Sequence, residues 1–143
     1  MREDTIKLLK ECNSGIKMGV SSIDNVLPYV KNPQLKSALN VCKDKHAILG
    51  NKTHRALASN NESTSAPHAV AKVMADIKVR AVVATTRSDY KIADVMTDGC
   101  NMGIKSLYKY LNKYKDADEE SKGIASDIIS LEQELRTDLR KYL

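Results

Sequence analysis

The chain has no tryptophan and no phenylalanine among its 143 residues, and six tyrosines are its whole aromatic complement. An interior must therefore be assembled from Leu, Ile, Val, Ala and Met, a palette that suits helix packing better than a β-sandwich. No apolar run approaches the ~18 residues of a membrane span, so no membrane insertion is expected. The opening Met1-Arg2-Glu3-Asp4 carries acid where a secretory signal carries base, which predicts a cytoplasmic protein. Cysteine is sparse and odd in number: Cys12, Cys42 and Cys100 show no short metal-type spacing and are read as free thiols. With only three prolines and six glycines, the punctuation of the chain is easy to read.

What is present is a chain of ordinary single-domain length, 42% hydrophobic and 29% charged, too apolar for disorder and too charged for a membrane protein. One domain over 1–143 is expected. The net charge of +5 is unevenly spread: residues 32–115 hold 14 Lys+Arg against 6 Asp+Glu, and residues 116–143 hold 4 against 8. Two readings follow, neighbouring helices of opposite sign or a nucleic-acid surface. The lack of aromatic stacking residues and clustered Arg favours the first.

Five helices are predicted. From Asp4 to Lys31, Ile6, Leu9, Asn13, Ile16, Val20, Ile23, Leu27 and Val30 recur at threes and fours, with a kink or early end expected at Pro28. Asn32-Pro33 supplies an N-cap and a first-turn proline for a second helix. Its seam is Leu35, Leu39, Cys42, His46, Leu49, Thr53 and Ala56, ending near Ser59. Ser59 to Ala66 reads as a loop, and Pro67 opens a shorter third helix with Val70, Val73, Met74, Ile77, Ala81 and Ala84 on its stripe. The fourth, from Asp89 to about Tyr114, presents Ile92, Val95, Met96, Gly103, Leu107, Tyr110 and Tyr114. Asp116 or Asp118 caps a fifth, with Ile124, Ile128, Leu131, Leu135, Leu139 and Tyr142 buried.

Short links make the first two helices, and the last two, antiparallel pairs. Cys12-Asn13-Ser14-Gly15-Ile16-Lys17 returns 88 residues later as Cys100-Asn101-Met102-Gly103-Ile104-Lys105, consistent with two related hairpins. The third helix would then carry the chain back along the bundle, the one-crossover topology of ferritin-like folds. The segments Leu8 to Asn13, Lys45-His46 and Met96 to Leu107 resemble an uncharacterised bacterial family of small ferritin-like four-helix-bundle proteins, similar in length over the whole chain. The resemblance implies that fold and brings no established activity. In that family acidic residues often follow the second-helix histidine, whereas Ala47, Asn51 and Lys52 stand here.

The chemistry to test is a carboxylate-bridged di-metal site, which needs inward Glu from two helices and Glu-x-x-His from two others. Position 43, three before His46, is Lys, and the fifth helix has no histidine. At ~100° per residue Glu11, Asp94 and Asp98 point away from the apolar faces, and Asp127, Glu132, Glu134 and Asp138 fall on flanks. His46 alone lies mid-seam. It reads either as a lone metal ligand, the remnant of a site, or as a core histidine bonded to Asn13, a backbone carbonyl or water; the second reading is preferred. The cysteines read as small hydrophobes, with a soft metal or redox site as the alternative should the repeat bring Cys12 and Cys100 together. Gly15, Gly19, Gly99 and Gly103 each cost ~1 kcal/mol in a helix, which close helix approach within the bundle or across a dimer interface would offset. Met74, Met96 and Met102 read as core filling, and at least one of Tyr108, Tyr110 and Tyr114 as exposed.

The expectation is a ferritin-like bundle with no catalytic residue, cofactor or metal centre, acting through its surface as a homodimeric binding or assembly protein with a protein partner. Two alternatives remain: a metal-storage or oxidoreductase bundle using His46, with Asn13 the other candidate, or a weak nucleic-acid binder through the second to fourth helices.

Overall fold

The computed structural model of the chain describes residues 2–62 and 88–143. Four long helices lie within them: α1 (Arg2–Val26), α2 (Pro33–Ser59), α3 (Asp89–Lys113) and α4 (Glu119–Leu139). Single 3-10 turns follow α1 at Leu27–Tyr29 and α4 at Arg140–Tyr142. No strand occurs among the described residues, and none of their helices is long and apolar enough to cross a membrane. The expected third helix from Pro67, with Met74, lies outside the described residues. α3 and α4 are thus the fourth and fifth helices read from the sequence.

Each boundary has a local cause. Pro28 cannot continue the hydrogen-bond ladder, so α1 gives way to a 3-10 turn and the chain turns extended at Val30. The Asn32 side chain accepts from the backbone N–H of Gln34 and Leu35 at 2.8 and 3.2 Å, with Pro33 at the first helical position. Ser88 accepts from Lys91 N, and Asp118, the second of the two candidate caps, accepts from Ser121 N. α2 closes differently. Asn61 adopts the left-handed φ of 58° that Asn tolerates, letting Glu62 N reach back to Leu57 O at 2.9 Å and Asn61 N to Ala58 O at 3.0 Å.

Polar contacts at the ends fix the helix directions. Asp4 and Thr5 of α1 accept from the backbone N–H of Asp116 and Asp118, in the link between α3 and α4, at 3.0 and 2.8 Å. Arg2 donates to the Asn60 carbonyl. At the opposite end the Asp89 carboxylate accepts from Lys31 N and Asn32 N, both at 2.9 Å. α1 and α4 therefore run one way and α2 and α3 the other. Around the bundle α1 packs on α2, α2 on α4, α4 on α3 and α3 on α1, all antiparallel, and α1 also touches α4 across the diagonal. The described chain leaves at Glu62 at one end and resumes at Ser88 at the other.

All seven seam residues predicted for α2 are buried. On α1 the buried face is wider than predicted, taking in Leu8, Cys12 and Val26, while Ile6 and Val20 are half-buried. Met102 is a correction: it is 67% exposed rather than core filling, because Ile104 and Cys100 hold the inward positions on either side of it. Met96 is buried and Tyr108 is exposed, as expected. The opposite charges of the middle and end of the chain do meet, with Lys45 of α2 at 3.1 Å from Glu134 of α4.

The Asp89 bridge is half-buried and joins the start of α3 to the α1–α2 turn through two charge-assisted bonds. Asp89→Ala should lower stability by ~1–3 kcal/mol, read as a reduced urea midpoint at unchanged slope.

Candidate functional site

The core is divided in two. One apolar cluster joins Leu8, Leu9, Cys12 and Ile16 to Leu49, Leu57, Ile104, Leu107, Ile124, Ile128 and Ile129. The other joins Ile23, Val26, Leu35, Leu39 and Cys42 to Ile92, Met96, Cys100, Leu135 and Leu139. Every helix passes from one cluster to the other, and the changeovers fall between Ile16 and Ile23, Cys42 and Leu49, Cys100 and Ile104, and Ile129 and Leu135. Those gaps contain Gly19, His46, Gly103 and Glu132. Mid-bundle, the four helices thus contribute a layer of one imidazole, one carboxylate and two glycines.

His46 is 1% exposed, and its Nε2 lies 3.0 Å from Glu132 Oε1 across the α2–α4 seam. Its Nδ1 lies 2.8 Å from the Cys42 carbonyl one turn back and 3.4 Å from Cys42 Sγ. A carbonyl oxygen only accepts, so Nδ1 carries a proton and donates. The facing Nε2 and carboxylate then need one more proton between them, since two lone pairs 3.0 Å apart in a desolvated site would repel. Burial alone would lower the imidazole pKa. The bonds to Cys42 and Glu132, with the Glu132 charge, outweigh it and raise the value from 6.5 to about 10. At neutral pH the arrangement is an imidazolium on a carboxylate.

The Cys100 thiol of α3 feels the same carboxylate: burial first, and then the Glu132 charge, drive its pKa far up. The carboxylate thereby joins α4 to α2 directly and acts on α3 through its charge. α1 completes the layer sterically: a Cβ on Gly19 would come within 3.1 Å of His46 Nε2 and 3.2 Å of Cδ2. Gly103 plays a milder part, with the Glu132 carboxylate 3.7 Å from where its Cβ would stand. Gly15 and Gly99 would meet nothing within 4 Å, so the close approach predicted for four glycines is real for two.

The sequence-derived candidates are redistributed accordingly. The backbone carbonyl expected for His46 is present, as Cys42 O. Asn13 is not the partner: both ring nitrogens of His46 are engaged elsewhere, and Asn13 Oδ1 accepts from His54 Nε2 at 3.2 Å. Cys12 and Cys100 lie in different core clusters, and Cys42 shares that of Cys100. All three thiols are free and buried, and burial raises the Cys12 pKa to about 12. Glu11 is half-buried and hydrogen-bonded to Tyr110. Asp94, Asp98, Asp127, Glu134 and Asp138 are exposed. Glu132 is the residue missed, placed on a flank although its side chain is only 13% exposed. A signal existed: Ser121, Ala125, Ile128, Glu132, Leu135 and Leu139 follow a strict alternation of fours and threes, and taking Leu131 into the seam hid it. Among the described residues no group of three or more His, Cys, Asp or Glu is placed to hold a metal ion.

Two expectations follow. Gly15→Ala should stabilise by ~0.5–1 kcal/mol through helix propensity. Gly19→Ala should destabilise by ~1–3 kcal/mol, because a ring held at both nitrogens cannot yield to the added methyl; thermal melts of the two variants read the opposite signs. Removing one member of the pair should be costlier, with Glu132→Ala losing ~3–5 kcal/mol in urea denaturation. Because folding raises the His46 pKa, its contribution is complete below pH 6.5 and is lost as pH rises through about 10. Wild-type stability should accordingly fall from neutral pH toward pH 10, and Glu132→Gln should flatten that decline.

No protein-family model, curated protein or solved structure matches this chain.

Proposed function

We propose that the chain is a ferritin-like bundle related to the small bacterial family it resembles, whose interior serves packing and whose surface acts as a homodimeric binding or assembly platform for a protein partner. One observation carries this reading. The carboxylate that reaches His46, Glu132, is already committed to a protein donor, His46 Nε2 at 3.0 Å. A carboxylate-bridged metal pair needs several such groups free to ligate. The antiparallel arrangement, with the described chain departing at one end and resuming at the other, supports the ferritin-like assignment. Solvent-facing Ile48 on α2 offers the apolar content that a subunit or partner contact requires: it is 62% exposed on the wall of an open depression of about 380 Å³ shared with Asn51, His54 and Arg55.

Light scattering should return twice the chain mass of 15.8 kDa, and Ile48→Glu should shift it toward the monomer. Elemental analysis of protein purified without chelator tests the metal alternative. Stoichiometric iron, manganese or zinc, lost in His46→Ala, would overturn the packing reading and establish a metal-storage or oxidoreductase bundle.

A further inference from the structure

The three cysteines are not equivalent. Cys12 is sealed in one apolar cluster at 0% exposure, and Cys100 is 2% exposed in the other. Cys42 is 6% exposed and forms part of the wall of a groove of about 150 Å³ between α2 and α4, together with Ala38, Lys45, Glu134, Leu135 and Asp138. Its Sγ stands 3.4 Å from His46 Nδ1, and His46 Nε2 stands 3.0 Å from Glu132 Oε1. Thiol, imidazole and carboxylate are thus in line, with the sulfur at the end that opens outward.

We propose that Cys42 is a modification site, oxidised by small neutral hydroperoxides that enter the α2–α4 groove, with His46 as the positioning residue. The Nδ1–H that donates to the Cys42 carbonyl also points a positive edge at the sulfur, which orients the side chain toward the groove without the imidazole acting as a base. The thiol proton leaves to water through the groove. The thiolate attacks one peroxide oxygen; an S–O bond forms as the O–O bond breaks, the sulfur gives up two electrons, and the departing hydroxide takes a proton to leave as water. Thiol and hydrogen peroxide become sulfenic acid and water, with nothing else consumed. The groove selects by size and charge. It is several times the ~30 Å³ share of one water molecule and so admits a peroxide. Lys45 is paired with Glu134, which leaves Asp138 as the net charge on the groove wall, so anions are disfavoured.

The test is made on the reduced full-length chain at pH 7. Limited hydrogen peroxide with dimedone trapping and peptide mapping should place the adduct on Cys42 at least tenfold above Cys12 and Cys100. Iodoacetamide should outpace iodoacetate at Cys42 by more than their ratio on a free thiol. Glu132→Gln keeps a bond to Nε2 but withdraws the charge that holds the second ring proton; it should slow Cys42 oxidation severalfold while the helical circular dichroism is retained. Low concentrations of urea should leave the Cys42 rate unchanged while the Cys12 rate climbs with unfolding. Equal adducts on all three thiols, a Cys42 rate that tracks unfolding, or an unchanged rate in folded Glu132→Gln would overturn the proposal.

Discussion

A single ionic contact, His46 to Glu132, sits where the two halves of the core meet, and much of the bundle is arranged around it. An imidazole and a carboxylate withdrawn from water must meet each other in good geometry and have their remaining polar atoms answered, or the fold loses more than the contact supplies. The Cys42 carbonyl answers Nδ1 and the Glu132 carboxylate answers Nε2. The need for space explains Gly19, where any side chain would strike the ring. A slip of α2 against α4 by one turn would separate Nε2 from Oε1 by ~5 Å, so the contact fixes axial register as apolar packing alone does not.

The same demand shapes the chemistry of the interior. A carboxylate engaged by the imidazolium is a structural acceptor, and a histidine that already donates from Nδ1 and meets a carboxylate at Nε2 has no lone pair to spare at neutral pH. Reactivity is therefore displaced to the margin of the layer, where Cys42 borrows the positive edge of the ring and opens on the α2–α4 groove. At the bundle ends the answer is different: Asp89 and the Asp4 and Thr5 pair saturate backbone N–H groups in the links, anchoring the connections by charge and hydrogen bonding where little apolar surface is available.

The α2 seam was fully legible, because seven consecutive positions at alternating fours and threes leave one way to bury them. Its boundaries were legible too, since Asn32-Pro33 is a cap with a mechanism. α4 was legible only in part. Leu131 and Glu132 are adjacent, both compatible with a seam, and hydrophobicity chose the leucine where the fold chose the glutamate. Asn13 was misassigned for a similar reason: a polar residue at a seam position must be answered, but its place on one helix does not say from which neighbour.

The sequence by itself determined the all-helical class, the caps and breaks and the isolation of His46 on an apolar face, because each depends on interactions within a few residues along the chain. Only the tertiary structure decided that Glu132 of α4 turns inward to meet His46, and that Gly19 of α1 is the glycine that makes room for the ring. Those facts depend on the rotation and axial level of helices far apart in sequence, and one helix's periodicity carries no record of its neighbour's.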